Sequence, residues 1–284
     1  MPRGRPSRPE FRLKPRNTPF AEKDQALRRG AFEDFRTLFL RGRRHLGKGL
    51  PGRLPRRDPR PESKDMTMPF LFDPAPQPSV EIAGQGAYPI HRVFCVGRNY
   101  AAHAAEMGNE VDREAPFYFT KSAHAVIAAG GDLPYPPRTA DLHHEVELVV
   151  ALGQGAKPVA YGVGLDMTRR DLQARAKDKR RPWDVAKDFE ASAVLAPLRA
   201  ADEVPDITGA EIMLSVNGTL RQQGRIADMV WSVEELLADL GGLYTLRAGD
   251  LIMTGTPSGV GAVERGDRID ASITGLPELR ATVV

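Results

Sequence analysis

The sequence predicts a strand-rich α+β domain preceded by a basic appendage, and three observations predict it. From Met68 onward, short β-branched runs alternate with Gly, Pro and Asp turns. Helical periodicity is confined to three segments of that stretch. The first 65 residues differ in composition from everything that follows.

That appendage, residues 1–65, holds 19 Lys/Arg against 8 Asp/Glu, a net of +11, whereas the remainder holds 21 against 29, a net of −8. Runs such as Met1-Pro2-Arg3-Gly4-Arg5-Pro6 and Pro51-Gly52-Arg53-Leu54-Pro55-Arg56-Arg57 resist packing and break helices, which predicts a mostly disordered leader. Phe32, Phe35 and Leu38 predict a short amphipathic helix within residues 23–40. Polybasic composition alone is a weak motif. The leader therefore reads as an extension translated from an upstream start, with Met66 or Met68 as the ancestral beginning, in preference to a nucleic-acid or targeting tail. Nucleic acid is not an expected partner.

Residues 66–284 read as one domain, with 66–92 leading into it. Strands are predicted at 91–96, 117–120, 144–152, 162–166, 211–216 and 250–254, and helices at 100–107, 171–179 and 232–240. Ser232 opens the last helix with Glu235 three residues on, the spacing of a capping box. No internal repeat is visible. With 284 residues, 41% of them hydrophobic, the chain can bury a core. The single cysteine, Cys95, excludes an internal disulfide framework and a multi-thiolate zinc site, so a reducing compartment, the cytoplasm, is expected. No apolar run approaches the roughly 20 residues of a spanning helix, so no membrane partner is expected.

The segment Leu142-His143-His144-Glu145-Val146-Glu147-Leu148-Val149-Val150 is the most informative. A strand's period of two puts Glu145 and Glu147 on one face while Val146 and Leu148 enter the core. Two acids that close repel unless a cation or a base neutralises them. Asp166 ends another apolar run, Tyr161-Gly162-Val163-Gly164-Leu165-Asp166. Three carboxylates make a hard oxygen site suited to Mg²⁺, Mn²⁺ or Ca²⁺ rather than zinc. An isolated Glu-x-Glu would read as a solvated strand face, but its context reverses that. In Val96-Gly97-Arg98-Asn99-Tyr100-Ala101-Ala102-His103-Ala104-Ala105-Glu106, His103 and Glu106 share a helical face. A carboxylate that orients an imidazole is the arrangement of a general base acting on water.

Taken with Phe117-Tyr118-Phe119-Thr120-Lys121-Ser122, Gly162–Asp171, Pro182-Trp183-Asp184-Val185-Ala186-Lys187, Val216-Asn217-Gly218 and Thr254-Gly255-Thr256-Pro257-Ser258-Gly259-Val260-Gly261, these motifs resemble the fumarylacetoacetate hydrolase family, especially its small acylpyruvate and fumarylpyruvate hydrolases. The similarity runs from about Phe94 to Val284. It implies a mixed β-sandwich roll with a few peripheral helices, forming a homodimer. It also implies that Glu145, Glu147 and Asp166 bind Mg²⁺ or Mn²⁺, and that His103 with Glu106 activates water from a segment that closes as a lid. Lys187 is implied as a cation near metal and substrate, and Arg98, Tyr100, Arg170, Gln173 and Thr256 as substrate-binding. The implied reaction is cleavage of a carbon–carbon bond in a small diketo acid, releasing pyruvate and a carboxylic acid.

Two departures from the family stand out. Relatives connect the Glu-x-Glu and Asp strands through a helix, whereas only residues 153–160 intervene here. A helical crossover needs about 10–12 residues, so the link runs directly, shifts the strand or misplaces Asp166. Asp188, where relatives carry smaller residues, is expected to damp Lys187. Within the family, oxaloacetate decarboxylation or tautomerisation and oxo-acid hydration compete with hydrolysis. Outside it, the competing reading is an inactive scaffold whose basic leader binds nucleic acid.

Overall fold

The computed structural model describes residues 70–108 and 113–284, so the expectations for residues 1–65 lie outside the described residues. A hairpin of β1 (Ser79–Ile82) and β2 (Gly86–Pro89) comes first. β3 (Arg92–Gly97), α1 (Ala101–Glu106), β4 (Phe117–Lys121), β5 (Val126–Ala128) and β6 (Asp132–Leu133) follow. The centre of the chain supplies β7 (Leu142–His144), β8 (Val146–Leu152), β9 (Pro158–Asp166), β10 (Thr168–Arg169), α2 (Arg170–Asp178) and α3 (Asp184–Lys187). The remainder supplies β11 (Ala193–Leu195), β12 (Arg199–Ala200), β13 (Glu211–Val216), β14 (Thr219–Arg225), α4 (Val233–Leu243), β15 (Asp250–Met253), β16 (Gly261–Val263), β17 (Arg268–Ile273) and β18 (Leu279–Val283).

These strands form a large mixed sheet in the order β4-β3-β15-β8-β9-β11-β5, with β12 added beside β9. A five-stranded sheet runs β14-β13-β17-β18-β6, and a small one runs β10-β7-β16. β8 lies at the centre and is buried along its whole length. Its Val146, Leu148, Val150 and Leu152 pack in one apolar cluster with Ile212, Leu214, Ile269 and Ala271 of the five-stranded sheet. Its Val149 and Ala151 join a second cluster with Val80, Ile82 and Tyr88 of the β1–β2 hairpin. A strand covered on both faces reads as a continuous apolar run. Glu147 shares the face of Val149 and Ala151, so its side chain is buried at the end of that apolar face. The strand-rich α+β sandwich expected from the sequence is the architecture found.

The expected strand 144–152 is broken at Glu145. β7 pairs with β10 and β16 in the small sheet, while β8 pairs with β9 and β15 in the large one. Glu145 therefore sits where the chain changes sheets. The short link between the acid strands takes the direct route, because β8 and β9 are an antiparallel hairpin whose turn is closed by Gly153 N–H donating to Lys157 O at 2.8 Å. No crossover helix is needed. Asp166 stays in place, its N–H donating to Glu145 O at 2.8 Å. Close packing across β9 depends on Gly164, where an added Cβ would meet Val149 Cγ2 at 2.6 Å and Leu195 Cδ2 at 3.0 Å.

The predicted helices appear as α1, α2 and α4. The Ser232–Glu235 capping box forms, with Ser232 N–H donating to Glu235 Oε2 at 2.8 Å and Glu235 N–H to Ser232 Oγ at 3.2 Å. Among the described residues no helix is long and apolar enough to cross a membrane.

Candidate active site

Glu145, Glu147 and Asp166 converge at the ends of β8 and β9, each offering a carboxylate oxygen within 4.8 Å of the others. All three are buried, at 4%, 2% and 0% exposure, a placement that is unfavourable without compensating cations. Lys187 supplies one from α3. Its buried Nζ donates to Glu145 Oε2 at 2.7 Å, Asp166 Oδ2 at 2.6 Å and Thr168 Oγ1 at 2.7 Å. Arg170, opening α2, reaches Glu145 Oε1 at 2.5 Å through Nη2 and Gln173 Oε1 at 2.8 Å through Nη1.

Lys121, which the sequence reading gave no role, is the third cation. Its Nζ lies 2.8 Å from Asp166 Oδ1 as an ion pair without hydrogen-bond alignment, and it also donates to the Lys187 carbonyl. Glu147 has no ion pair among the described residues and accepts one hydrogen bond, from Gly255 N–H at 3.0 Å. Burial opposes ionisation of Glu145, but the Lys187 and Arg170 charges hold it well below the usual carboxylate range. Burial pushes Glu147 well above that range, and Asp166 and Glu145 push it further. Lys187 is raised against its burial by Asp166 and Glu145.

The donor set fits a hard divalent cation. It offers three buried carboxylates, one of them with no counter-charge, and an Asp166 Oδ1 to which no donor is aligned.

His103 faces the same cavity from α1 and is 7% exposed. Its Nδ1 lies 3.2 Å from Glu106 Oε2, so the proton belongs on Nδ1 and Nε2 is left as the acceptor. Glu106 is itself held by Gly259 N–H, at 3.1 and 3.2 Å to its two oxygens. Gly259 has φ of 95°, and a Cβ there would meet Arg221 O at 2.0 Å, so only glycine fits.

The cavity is also lined by Arg98, Gln173, Lys177, Trp183 and Thr256. Of the expected site residues, the structure therefore brings Arg98, His103, Glu145, Glu147, Asp166, Arg170, Gln173, Lys187 and Thr256 together around one space. Tyr100 is not among the residues lining this cavity. It pairs as a bridge with Met229 at the start of α1, and its side chain is buried. Asp188 departs from expectation: its Oδ1 accepts from Ser122 N–H at 2.8 Å, while the Lys187 ammonium is engaged by Glu145 and Asp166.

Gln222 escaped the sequence reading altogether. It is the one buried position of the polar edge strand β14. Its Oε1 accepts from Val146 N–H at 3.1 Å and pairs with His144 Nδ1 at 2.9 Å, while its Nε2 donates to Thr256 Oγ1 at 2.7 Å and Pro257 O at 2.9 Å. It thus ties the backbone between the two glutamates to the Thr256 loop. A lone glutamine in a run of exposed residues carries no signal of this in the sequence.

Comparison with known proteins identifies the family. The family description "Fumarylacetoacetate (FAA) hydrolase C-terminal" matches residues 92–284. The chain is 44% identical over 189 residues to the fumarylpyruvate hydrolase of a Ralstonia species, covering 62% of this chain and 98% of that protein. It is 42% identical over 202 residues to a mitochondrial oxaloacetate tautomerase of Arabidopsis thaliana, covering 68% and 90%. The crystal structure of fumarylpyruvate hydrolase from Pseudomonas aeruginosa, in complex with Mn²⁺ and pyruvate, superposes with a TM-score of 0.74 at 47% identity, covering 76% of this chain and 99% of that chain. With well over half of its length matched and its acids gathered in one buried site, the chain belongs to the fumarylacetoacetate hydrolase family.

Proposed function

We propose that the protein hydrolyses a small acylpyruvate such as fumarylpyruvate, giving pyruvate and a carboxylic acid. The observation that carries this reading is the His103–Glu106 pair on the wall of the cavity that holds the three acids, since carbon–carbon hydrolysis needs an activated water there. Glu145, Glu147 and Asp166 would hold Mg²⁺ or Mn²⁺, which would polarise the 2-oxo and carboxylate oxygens of the substrate and offset the charge that develops as the bond breaks. His103 Nε2 takes a proton from water, whose oxygen attacks the carbonyl distal to the pyruvate unit. Glu106 orients the imidazole and stabilises its cation. As the carbon–carbon bond breaks, its electron pair stays with the pyruvate fragment, whose methylene carbon is then protonated. Arg170 and Gln173 face the substrate from one side of α2, Thr256 offers a hydroxyl, and Lys187 offsets negative charge.

The Mn²⁺ and pyruvate bound by the Pseudomonas aeruginosa enzyme support both the metal and the product. A second reading, oxaloacetate tautomerisation, is favoured by the 42% identity to the Arabidopsis thaliana enzyme; it requires proton transfer but no attacking water. We further place the catalytic domain in residues 66–284 with 1–65 as an appended segment, and the enzyme in the cytoplasm as a homodimer.

Pyruvate release from fumarylpyruvate and acetylpyruvate, measured with Mg²⁺, Mn²⁺ and EDTA, tests the proposal. Metal-dependent release that falls by about 10²–10⁴-fold in His103→Ala is expected. Folded, metal-loaded protein that equilibrates oxaloacetate tautomers but releases no pyruvate would replace the first reading with the second.

A further inference from the structure

The segment Leu142-His143-His144-Glu145 carries two histidines that the proposed reaction leaves unused. Successive residues of a strand face opposite ways, and these two do. His144 turns to Gln222. His143, whose side chain is 18% exposed, turns to Arg170 at the start of α2. The pairing of β7 with β10 brings them together: it sets His143 opposite Thr168, two residues before Arg170.

Arg170 is held from several sides. Its backbone N–H donates to Asp141 O at 2.8 Å. Its Nε donates to His143 Nδ1 at 3.3 Å, and its two terminal nitrogens reach Gln173 and Glu145. On the far side of the imidazole, His143 Nε2 lies 2.8 Å from Asp141 Oδ1. A carboxylate only accepts and an arginine N–H only donates, so one neutral tautomer, with its proton on Nε2, satisfies both contacts. Asp141 is itself fixed. Its N–H donates to Thr139 Oγ1 at 3.1 Å, and that hydroxyl donates to Asp171 Oδ1 of α2 at 2.6 Å.

We propose that His143, anchored by Asp141, is a positioning residue that fixes the Arg170 guanidinium for a 2-oxo acid bound in the cavity. The inference rests on the acylpyruvate reading in taking a 2-oxo acid as the ligand. Each terminal nitrogen of Arg170 carries a second N–H, and no group among the described residues accepts it. The contact to Glu145 cannot by itself hold these donors in place, because a cation bound by the three acids competes for the same carboxylate. The bond from Nε to His143 is independent of the acids. It keeps the guanidinium oriented when cation and ligand enter, so that its N–H groups meet the ligand without a cost of ordering.

Calorimetric titration of pyruvate into the Mg²⁺-saturated full-length protein tests this with three variants. His143→Asn keeps a polar atom where Nδ1 stands and can still accept from Arg170. His143→Gln places one where Nε2 stands and reaches only Asp141, and His143→Leu keeps neither contact. Pyruvate affinity is expected to fall about 10-fold in the glutamine and leucine variants and to stay within about threefold of the wild type in the asparagine variant. Rescue by glutamine in place of asparagine, equal losses in all three, or no loss in any would overturn the assignment. So would a wild type that binds no pyruvate. Pyruvate release from fumarylpyruvate, run on the same proteins, separates the two ideas. Release by the wild type without the split between asparagine and glutamine sinks the positioning role alone, and the split without release sinks the hydrolase reading alone.

Discussion

At Glu147 the fold buries an acid with no ion-pair partner among the described residues, beside Glu145 and Asp166, each of which has two. Like charges in a dry site oppose each other, so this carboxylate is a cost to the metal-free protein and a reason to bind a cation. Glu147→Gln should therefore raise the melting temperature of EDTA-treated protein and abolish the increase that Mg²⁺ or Mn²⁺ gives the wild type, both read by scanning calorimetry. A variant still stabilised by metal would show that Glu147 is not a ligand. Glu106 acts through His103. Glu106→Gln keeps its shape but loses the charge, and is expected to lower kcat by about 10–100-fold with KM nearly constant. Gln222→Leu strands Val146 N–H, and each buried group left without a partner costs about 1–3 kcal/mol. Urea unfolding should register that loss, and a loosened Thr256 should raise KM.

Among the elements, β8 and β9 carry the site because their antiparallel hairpin brings Glu147 opposite Gly164 and leaves Asp166 at the strand end. Gly164→Ala would press a methyl into Val149 and Leu195. Overpacking of this kind costs about 1–3 kcal/mol, measurable as a lower urea midpoint with an unaltered slope. The acid pair was legible in the sequence because alternation in Glu145-Val146-Glu147-Leu148 survives burial, and the Ser232 cap because its chemistry is local. The break at Glu145 was not legible, since pairing with β10 and β16 is decided by strands distant in sequence. β14 was missed because an edge strand with polar faces lacks apolar alternation. Lys121 stood in a matched motif, but only the fold shows that it meets Asp166.

At the scale of the whole molecule, the large sheet is tied together by Asp250, whose fully buried side chain pairs with His91 at 2.9 Å and Arg92 at 2.6 Å and accepts from Arg247 N–H at 2.9 Å. Burial pushes its carboxyl up, but the Arg92 and His91 hydrogen bonds outweigh it and leave it below the ordinary value. A carboxylate depressed in the folded state contributes stability that is present above its unfolded pKa, about 3.9, and is lost as pH falls through the lower folded value. Asp250→Asn should thus be less stable than the wild type at neutral pH and show a shallower loss of stability below about pH 4.

The most direct test of the central claim is the fate of solvent oxygen. Turnover of fumarylpyruvate in H₂¹⁸O with Mg²⁺ should place one ¹⁸O in the carboxylate of the released acid, because the water activated by His103 becomes part of that product. Label confined to exchangeable carbonyl oxygens, with no labelled acid formed, would contradict hydrolysis.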